Sequence, residues 1–221
     1  MKYFAERLKS ARLMNGLSLQ GLADKIDNRI TKQALSKYEL GQVLPNSEMM
    51  GVLADALHVR PDYFSSTTLL EFGEIEFRKL KHYPSKEKTR IVELAKNELG
   101  RYLELEYILG VESRFEPLFE GATVNNQNDI EEAAETIRSK WGLGLNAIPN
   151  VIEVLEDNHV KVLELESSRE FDGFSTKVND NIPLIVLNKS KLDGALDRKR
   201  FTALHELGHL ILPVNHFSEK Q

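Results

Sequence analysis

The chain has 221 residues, of which 41% are hydrophobic and 29% are charged, and its net charge is −5. This length predicts one large domain or two small ones, and the overall acidity argues against a purely electrostatic nucleic-acid binder. The absence of cysteine excludes disulfides and thiolate zinc sites. Because the first residues also lack the apolar run of a signal peptide, we expect a cytoplasmic protein without a membrane span.

The charge is divided unevenly along the chain. Residues 1–37 contain eight lysines and arginines against three acids, which is a net charge of +5. Because the whole chain carries −5, the remainder carries −10. This division predicts an anion-binding segment followed by an acidic body.

Residues 1–66 predict an all-α domain of five short helices. Apolar side chains recur at helical spacing in each predicted helix. Ser18 and Thr31 are the expected N-caps of the second and third helices, because their hydroxyls can accept hydrogen bonds from the first turn. Ser47 opens the fourth helix, and a short turn follows Pro61.

Residues 16–45 within this domain predict a helix, a turn and a second helix. The second helix of such a pair enters the major groove of DNA and contacts bases with its first turns. Glutamine suits the edge of adenine, and lysine suits guanine or a phosphate. The predicted base-contacting residues are Lys32, Gln33, Ser36 and Lys37. The predicted phosphate-contacting residues are Arg12, Lys25 and Arg29. An ordinary helical bundle with a solvated polar face is the alternative, and the agreement of caps, turn and charge favours DNA binding.

This segment resembles the helix-turn-helix of XRE-type regulators, the group of phage repressor and Cro-like proteins. The matching features are Gly16-Leu17-Ser18, Leu22-Ala23, Leu35-Ser36, Glu39, Gly41 and Pro45. The turn from Asp27 to Ile30 is longer than in the shortest members. The resemblance implies binding to a double-stranded DNA operator. A homodimer is also expected, since operators for such modules are often two-fold symmetric.

Residues 67–127 are predicted to hold a linker and one long helix from Ser85 to about Leu109. Residues 128–221 then predict an α+β domain. Its first helix begins at a capping-box pattern, Asp129-Ile130-Glu131-Glu132, and another helix follows Pro149. The predicted strands are His159–Leu165, Phe171–Thr176 and Ile182–Leu187. Asp197 is the expected cap of the last helix, at about 198–212.

The last predicted helix carries His205-Glu206-Leu207-Gly208-His209. Residues i and i+4 of a helix lie on one face, so His205 and His209 can bind the same metal ion. Glu206 can take a proton from a metal-bound water, as the general base of a peptidase. The pattern predicts one Zn²⁺ as cofactor. The alternative is a chance match on an ordinary helix.

The stretch from Phe171 to Leu212 resembles the ImmA/IrrE family of metallopeptidases, in which many members couple this core to an XRE-type domain. The resemblance covers about residues 128–214. It implies a zincin-like fold with an HExxH helix, zinc endopeptidase activity and a protein substrate or regulator as partner. The family's third zinc ligand is an acidic residue on a following helix, to which nothing here corresponds. His216 and Glu219 are the local substitutes. If neither residue binds zinc, we expect that the domain is incomplete and that the chain is a shortened form with low peptidase activity.

Three functions follow from these patterns. The first is a DNA-binding transcriptional regulator with a zinc metallopeptidase-type domain that cleaves or binds a partner regulator. The second is a repressor or antitoxin whose peptidase-like domain is inactive and serves sensing or dimerisation. The third is a free peptidase whose N-terminal helices bind only protein. DNA binding and metal chemistry distinguish them.

Overall fold

The computed structural model describes residues 1–67, 69–75, 84–119, 124, 126–168 and 171–212. The chain divides into two compact units. Unit 1 comprises residues 1–69 and 82–101, and unit 2 comprises residues 70–81 and 102–221. No helix in the described part of the chain is both long and apolar enough to cross a bilayer.

Unit 1 begins with four α-helices and a 3₁₀ turn. These are α1 (Lys2–Met14), α2 (Leu19–Lys25), α3 (Lys32–Glu39), α4 (Ser47–Leu57) and the 3₁₀ turn Pro61–Ser65. Their apolar faces meet in one core, in which Leu8, Leu22, Leu35 and Leu53 are fully buried. Burying each such side chain contributes about 1.5–3 kcal/mol, so the amphipathic pattern of these short helices becomes stable only when they pack together. The helical N-terminal domain expected from the sequence is confirmed.

The long helix α5 (Ser85–Leu109) has the predicted bounds. Its residues up to Arg101 belong to unit 1. Leu94 packs against the helical core, and the Ser10 hydroxyl of α1 donates a hydrogen bond of 2.6 Å to Glu93. Unit 1 therefore includes a part of the long helix that lies outside the domain boundary expected at residue 66.

The described residues of unit 2 contain four further helices and three strands. They are α6 (Gln127–Lys140), α7 (Val151–Asp157), β1 (Lys161–Leu165), β2 (Gly173–Val178), β3 (Ile182–Asn188), α8 (Lys189–Leu192) and α9 (Leu196–Ile211). The expected combination of helices and a small sheet is confirmed. The short helix α8 was not predicted, because four residues carry too little periodicity to show in the sequence.

The three strands form one sheet in the order β1-β3-β2. β1 and β3 are parallel, with Lys161 opposite Leu184, whereas β2 and β3 are antiparallel, with Phe174 opposite Val186. The β2–β3 turn uses Asn179 and Asp180 with φ of 48° and 65°. These residue types tolerate the left-handed conformation that a tight hairpin turn requires.

The HExxH helix lies on this sheet. Ala203, Leu207 and Leu210 of α9 pack in one core with Ile185 and Leu187 of β3. β3 is buried from its second residue to its last, as expected for the central strand of a covered sheet. The two histidines of the motif are more accessible, since His205 is partly buried and His209 is exposed.

Two helix starts differ from the sequence expectation. Asn126 is the N-cap of α6, and Asp129 is the last residue of the resulting capping box, at position N3, rather than its first. The N-cap position of α9 is Ala195, without a side-chain cap, and Asp197 lies in the first turn. Asp197 still sits favourably there, because a carboxylate near a helix N-terminus opposes the positive end of the helix dipole.

Candidate functional site

Helices α2 and α3 form the candidate DNA-binding element. The Ser18 hydroxyl accepts a hydrogen bond from the Gly21 amide at 2.9 Å, and the Thr31 hydroxyl accepts one from the Ala34 amide at 3.2 Å. Both predicted caps are therefore confirmed. Asp27, in the turn between the helices, has a φ of 54°, which a short polar side chain tolerates.

The surface of α3 separates into a buried face and a polar face. Leu35 is fully buried, and Ala34 and Tyr38 are partly buried. Lys32, Gln33 and Lys37 are exposed and Ser36 is partly buried, so the four predicted base-contacting residues lie outside the hydrophobic core. The exposed lysines and amide are donor groups suited to the major-groove edges of bases.

Arg12 requires a correction, because the structure does not leave it available for DNA. Its guanidinium donates two hydrogen bonds to the Glu39 carboxylate, at 2.6 and 2.8 Å, and a third to the Leu17 carbonyl at 2.7 Å. The Arg12 and Glu39 side chains are only 9% and 8% exposed. Arg12 therefore joins α1 to α3 as part of the structure and is removed from the phosphate-contacting set.

The other two predicted phosphate contacts remain at the surface. Lys25, at the end of α2, and Arg29, in the following turn, are both exposed. The Lys25 ammonium lies 3.2 Å from Nε2 of His58, the residue that ends α4 in a left-handed conformation. The long side chains of Lys25 and Arg29 can reach a phosphate from these positions.

The HExxH residues form the second candidate site. Nε2 of His205 and Nε2 of His209 lie 3.1 Å apart, and the ring planes are inclined by 87°. Phe201, one turn before His205, stacks on that ring with a centroid distance of 6.1 Å. The two imidazoles therefore point to a common position on one face of α9.

Glu206 lies on the buried side of the same helix and is only 9% exposed. It accepts a hydrogen bond of 2.9 Å from the hydroxyl of Ser175, on β2. The sequence did not indicate Ser175, since this contact joins residues 31 positions apart. The hydrogen bond holds the carboxylate of Glu206 against β2.

The histidine pair matches part of a zinc site. Two nitrogens that are each about 2.0–2.1 Å from one tetrahedral zinc ion lie roughly 3.3 Å apart. The observed 3.1 Å is close to this value, although it also allows a hydrogen bond between the two rings. Among the described residues, no group of three His, Cys, Asp or Glu side chains is placed to hold a metal. A zinc ion at this position would have two ligands among the described residues, His205 and His209, whereas His216 and Glu219 lie outside the described residues.

A cleft of about 690 Å³ opens beside His209. Ser175 and Lys177 of β2 line one side, and Phe115 lines another. Glu74 also lines it, and the amide of its neighbour Gly73 bonds to the carbonyl of Lys177. The cleft has room for a short peptide segment next to the HExxH helix.

The start of α9 is anchored by a charged cluster. Asp172 accepts hydrogen bonds from Arg198 at 2.8 Å and from Lys191 at 3.3 Å. Burial raises the pKa of Asp172, but these two cations outweigh burial, so the pKa of this carboxyl lies below its usual value.

A buried lysine forms a further polar cluster in unit 2. Lys161, on β1, is buried. Its ammonium pairs with Glu106 and donates a hydrogen bond to the Ser113 hydroxyl at 2.7 Å. It also lies 4.9 Å from the ring centroid of Tyr102. Burial raises the pKa of Tyr102, and the nearby carboxylates of Glu156 and Glu106 raise it further. This cluster attaches the end of α5 to the sheet.

Two comparisons with known proteins bear on unit 1. Residues 8–64 match the family model described as Helix-turn-helix. Over 69 residues the chain is 36% identical to the SPbeta prophage-derived uncharacterized HTH-type transcriptional regulator YonR of Bacillus subtilis (strain 168). That match covers 31% of this chain and 62% of the relative, which is less than two thirds of the relative's length. No solved structure matches the chain significantly.

The N-terminal unit therefore contains an XRE-type helix-turn-helix domain, and this part of the sequence interpretation is confirmed. The family match ends at residue 64. The resemblance of the C-terminal unit to ImmA/IrrE metallopeptidases consequently stays a prediction.

Proposed function

We propose that this protein is a DNA-binding transcriptional regulator that carries a metallopeptidase-type unit. DNA binding is supported by the capped helix α3, which presents Lys32, Gln33 and Lys37 at the surface of a helix-turn-helix domain. In such a domain the second helix contacts base edges while the first crosses the phosphate backbone. Lys25 and Arg29 are the proposed backbone contacts. The operator would be reached in the cytoplasm.

The test of DNA binding begins with selection of a preferred duplex from a random library by the purified chain. The Lys32→Ala, Gln33→Ala double variant should then lose about 10–100-fold in affinity for that duplex, since a good base contact is worth about 1–3 kcal/mol. Lys9→Ala, Gln42→Ala is the matched control, because both of these residues are exposed and lie outside α3. Equal losses in the two double variants would show that α3 does not read the bases.

The second half of the proposal concerns the HExxH residues. It is supported by the convergence of His205 and His209 and by the buried Glu206, which follows His205 in the sequence. The two histidines would hold Zn²⁺, with His216, Glu219 or a group outside this chain as the third ligand. Bound zinc supplies a hydroxide at neutral pH that can attack a peptide carbonyl. Glu206, fixed by Ser175, would take the proton of the attacking water, and the cleft beside His209 would hold the partner protein's segment.

Metal analysis separates the active proposal from its alternative. After dialysis against zinc, the wild-type chain and Glu206→Gln should each retain one zinc, whereas His205→Ala and His209→Ala should lose it. Cleavage of a quenched peptide library should disappear in all three variants. A wild-type chain that holds no zinc would instead support a repressor or antitoxin whose peptidase-like unit is inactive and serves sensing or dimerisation. The distance of 3.1 Å between the Nε2 atoms of His205 and His209 also fits a direct hydrogen bond between the two rings without a metal, which supports this alternative.

The third function, a free peptidase whose N-terminal helices bind protein, makes the opposite prediction for DNA. It requires that the chain bind no duplex even at low salt, where phosphate contacts are strongest. Detectable binding under those conditions excludes it.

A homodimer is part of the regulator proposal. Near the end of α5, Leu105, Ile108 and Leu109 are 56%, 70% and 66% exposed, and their spacing places them on neighbouring positions of one helix surface. A cluster of exposed apolar residues marks an association surface, and a two-fold operator needs a second copy of the chain. Ile108→Glu should reduce the sedimentation coefficient to that of a monomer. Leu145→Glu, at an isolated residue that is 98% exposed, is the control.

A further inference from the structure

The first two turns of α5 bring cations to the helix-turn-helix. Lys86 and Arg90 are four residues apart and therefore share one face of the helix. The aliphatic parts of both side chains lie over Gly16. Arg90 Cδ is 3.6 Å and Lys86 Cε is 3.8 Å from the point where a β-carbon on Gly16 would lie. Gly16 has a φ of +62° and lies in the turn between α1 and α2. Two cations from a distant part of the sequence thus lie beside the turn that leads into the start of α2.

The position of these cations is set by packing that belongs to unit 1. Ile91 and Ala95 of α5 are fully buried, and Leu94 packs against the core of the helical domain. The hydrogen bond from Ser10 to Glu93 joins α5 to α1 at the same level of the helix. The first turns of α5 are therefore held against the domain.

The cations are available to an anionic partner. Lys86 is exposed. Arg90 pairs with Glu87 at 3.6 Å, and the two side chains are 33% and 36% exposed. An ion pair this open to solvent contributes only about 0–1 kcal/mol, so a phosphate can replace the carboxylate at little cost.

We propose that Lys86 and Arg90 extend the DNA-binding surface of unit 1 by contacting the phosphate backbone that α2 crosses. The inference rests on the proposed DNA-binding function and adds a contact surface to it. The first helix of a helix-turn-helix pair lies across the backbone, and cations beside its start therefore face phosphates rather than base edges. Contacts of this kind strengthen binding to every duplex and carry no sequence preference.

The test measures the salt dependence of DNA binding by the full chain. Affinity for the selected duplex and for an unrelated duplex is measured by fluorescence anisotropy between about 50 and 300 mM KCl. The slope of log affinity against log salt should decrease by about 1.8 in Lys86→Ala, Arg90→Ala, because each lost phosphate contact removes about 0.9. Affinity for both duplexes should fall roughly 10–30-fold near 150 mM salt. The ratio between the two duplexes should stay unchanged.

Lys88→Ala, Arg101→Ala is the matched control. It removes two positive charges from the same helix, but Lys88 lies on the opposite face and Arg101 lies three turns further along. Lys86→Arg, Arg90→Lys retains both charges and should retain the wild-type slope. Circular dichroism establishes that each variant is folded, and the charge-retaining variant separates lost cations from lost packing.

Equal slopes for the wild type and Lys86→Ala, Arg90→Ala would overturn the inference while leaving the proposed function intact. Equal effects of the two alanine pairs would also overturn it, since net charge alone would then explain the loss. A wild-type chain that binds neither duplex at low salt would overturn the proposed function, and this inference with it.

Discussion

Unit 1 and unit 2 both bury ionisable side chains, but they place them differently with respect to their candidate sites. In unit 1, Arg12 and Glu39 form a bidentate pair away from the exposed residues of α3. In unit 2, the buried carboxylate of Glu206 lies within the candidate site itself. We therefore expect substitutions on the exposed face of α3 to weaken the proposed DNA binding without unfolding unit 1. In unit 2, a substitution of Glu206 would change both the proposed site and the stability of the unit.

The two units can be followed separately in solution. The chain has one tryptophan, Trp141, which packs against the core of unit 2. Its fluorescence therefore reports the unfolding of unit 2, whereas far-ultraviolet circular dichroism reports the helices of both units.

The largest effect is expected at the buried pair of unit 1. Arg12→Ala should lower the free energy of unfolding by about 3–5 kcal/mol, because it leaves the Glu39 carboxylate buried without its partner. Urea titration followed by circular dichroism measures the change, and the transition of Trp141 should stay in place. Arg60→Ala is the control, because the Arg60–Asp62 pair is 86% and 64% exposed. Similar small losses in both variants would contradict a structural role for Arg12.

The next effect concerns the buried lysine of unit 2. Lys161→Ala should cost about 2–4 kcal/mol, since it removes a cation from Glu106 and a donor from Ser113. The Trp141 transition should shift to lower urea. Lys189→Ala should change it little, because the Lys189–Glu166 pair spans 3.9 Å at the surface. If the urea transition shifted in circular dichroism but not in Trp141 fluorescence, the division into two units would be wrong.

Ser175→Ala should have a smaller effect on the same transition. Loss of the hydrogen bond to the buried Glu206 should cost about 1–2 kcal/mol, because the carboxylate loses a donor inside the protein. Ser190→Ala, at an exposed residue of α8, is the control. Unchanged stability in Ser175→Ala would mean that Glu206 is held by its other surroundings.

The smallest effect is expected at Asp172 and depends on pH. Because its folded pKa lies below the ordinary value of 3.8, ionised Asp172 stabilises unit 2 above that value, and this stabilisation is lost as pH falls through the folded pKa. Asp172→Asn should cost about 0.5–1 kcal/mol at pH 7, a modest value because Arg198 is half exposed. The difference from wild type, measured through Trp141, should shrink below about pH 4. A difference that is equally large at pH 3 would contradict the assignment.

Most of the helices could be predicted from the sequence because helix signals are local. The bounds of α5 and the caps at Ser18 and Thr31 depend on periodicity and on hydrogen bonds within one turn. The start of α6 was misplaced by three residues, since Asn126 and Asp129 are both good caps and the sequence does not rank them.

The helical spacing of α1 indicates that Arg12 is buried. Arg12 follows the buried Leu8 by four residues, so both lie on the same face of α1. In the same way, Lys161 alternates with the buried residues Leu163 and Leu165 on one face of β1. The charge of Arg12 and Lys161 predicts that both side chains are exposed to solvent. The helical and strand periods instead place both residues on a buried face.

By itself the sequence determined the helix-turn-helix, the strands of the small sheet and the common face of His205 and His209, because these follow from residues that are close along the chain. The tertiary structure alone decided the partner of Arg12, the hydrogen bond from Ser175 to Glu206 and the position of Lys86 and Arg90 over Gly16. Each of these contacts joins residues at least 27 positions apart, and only the packing of whole helices and strands brings such residues together.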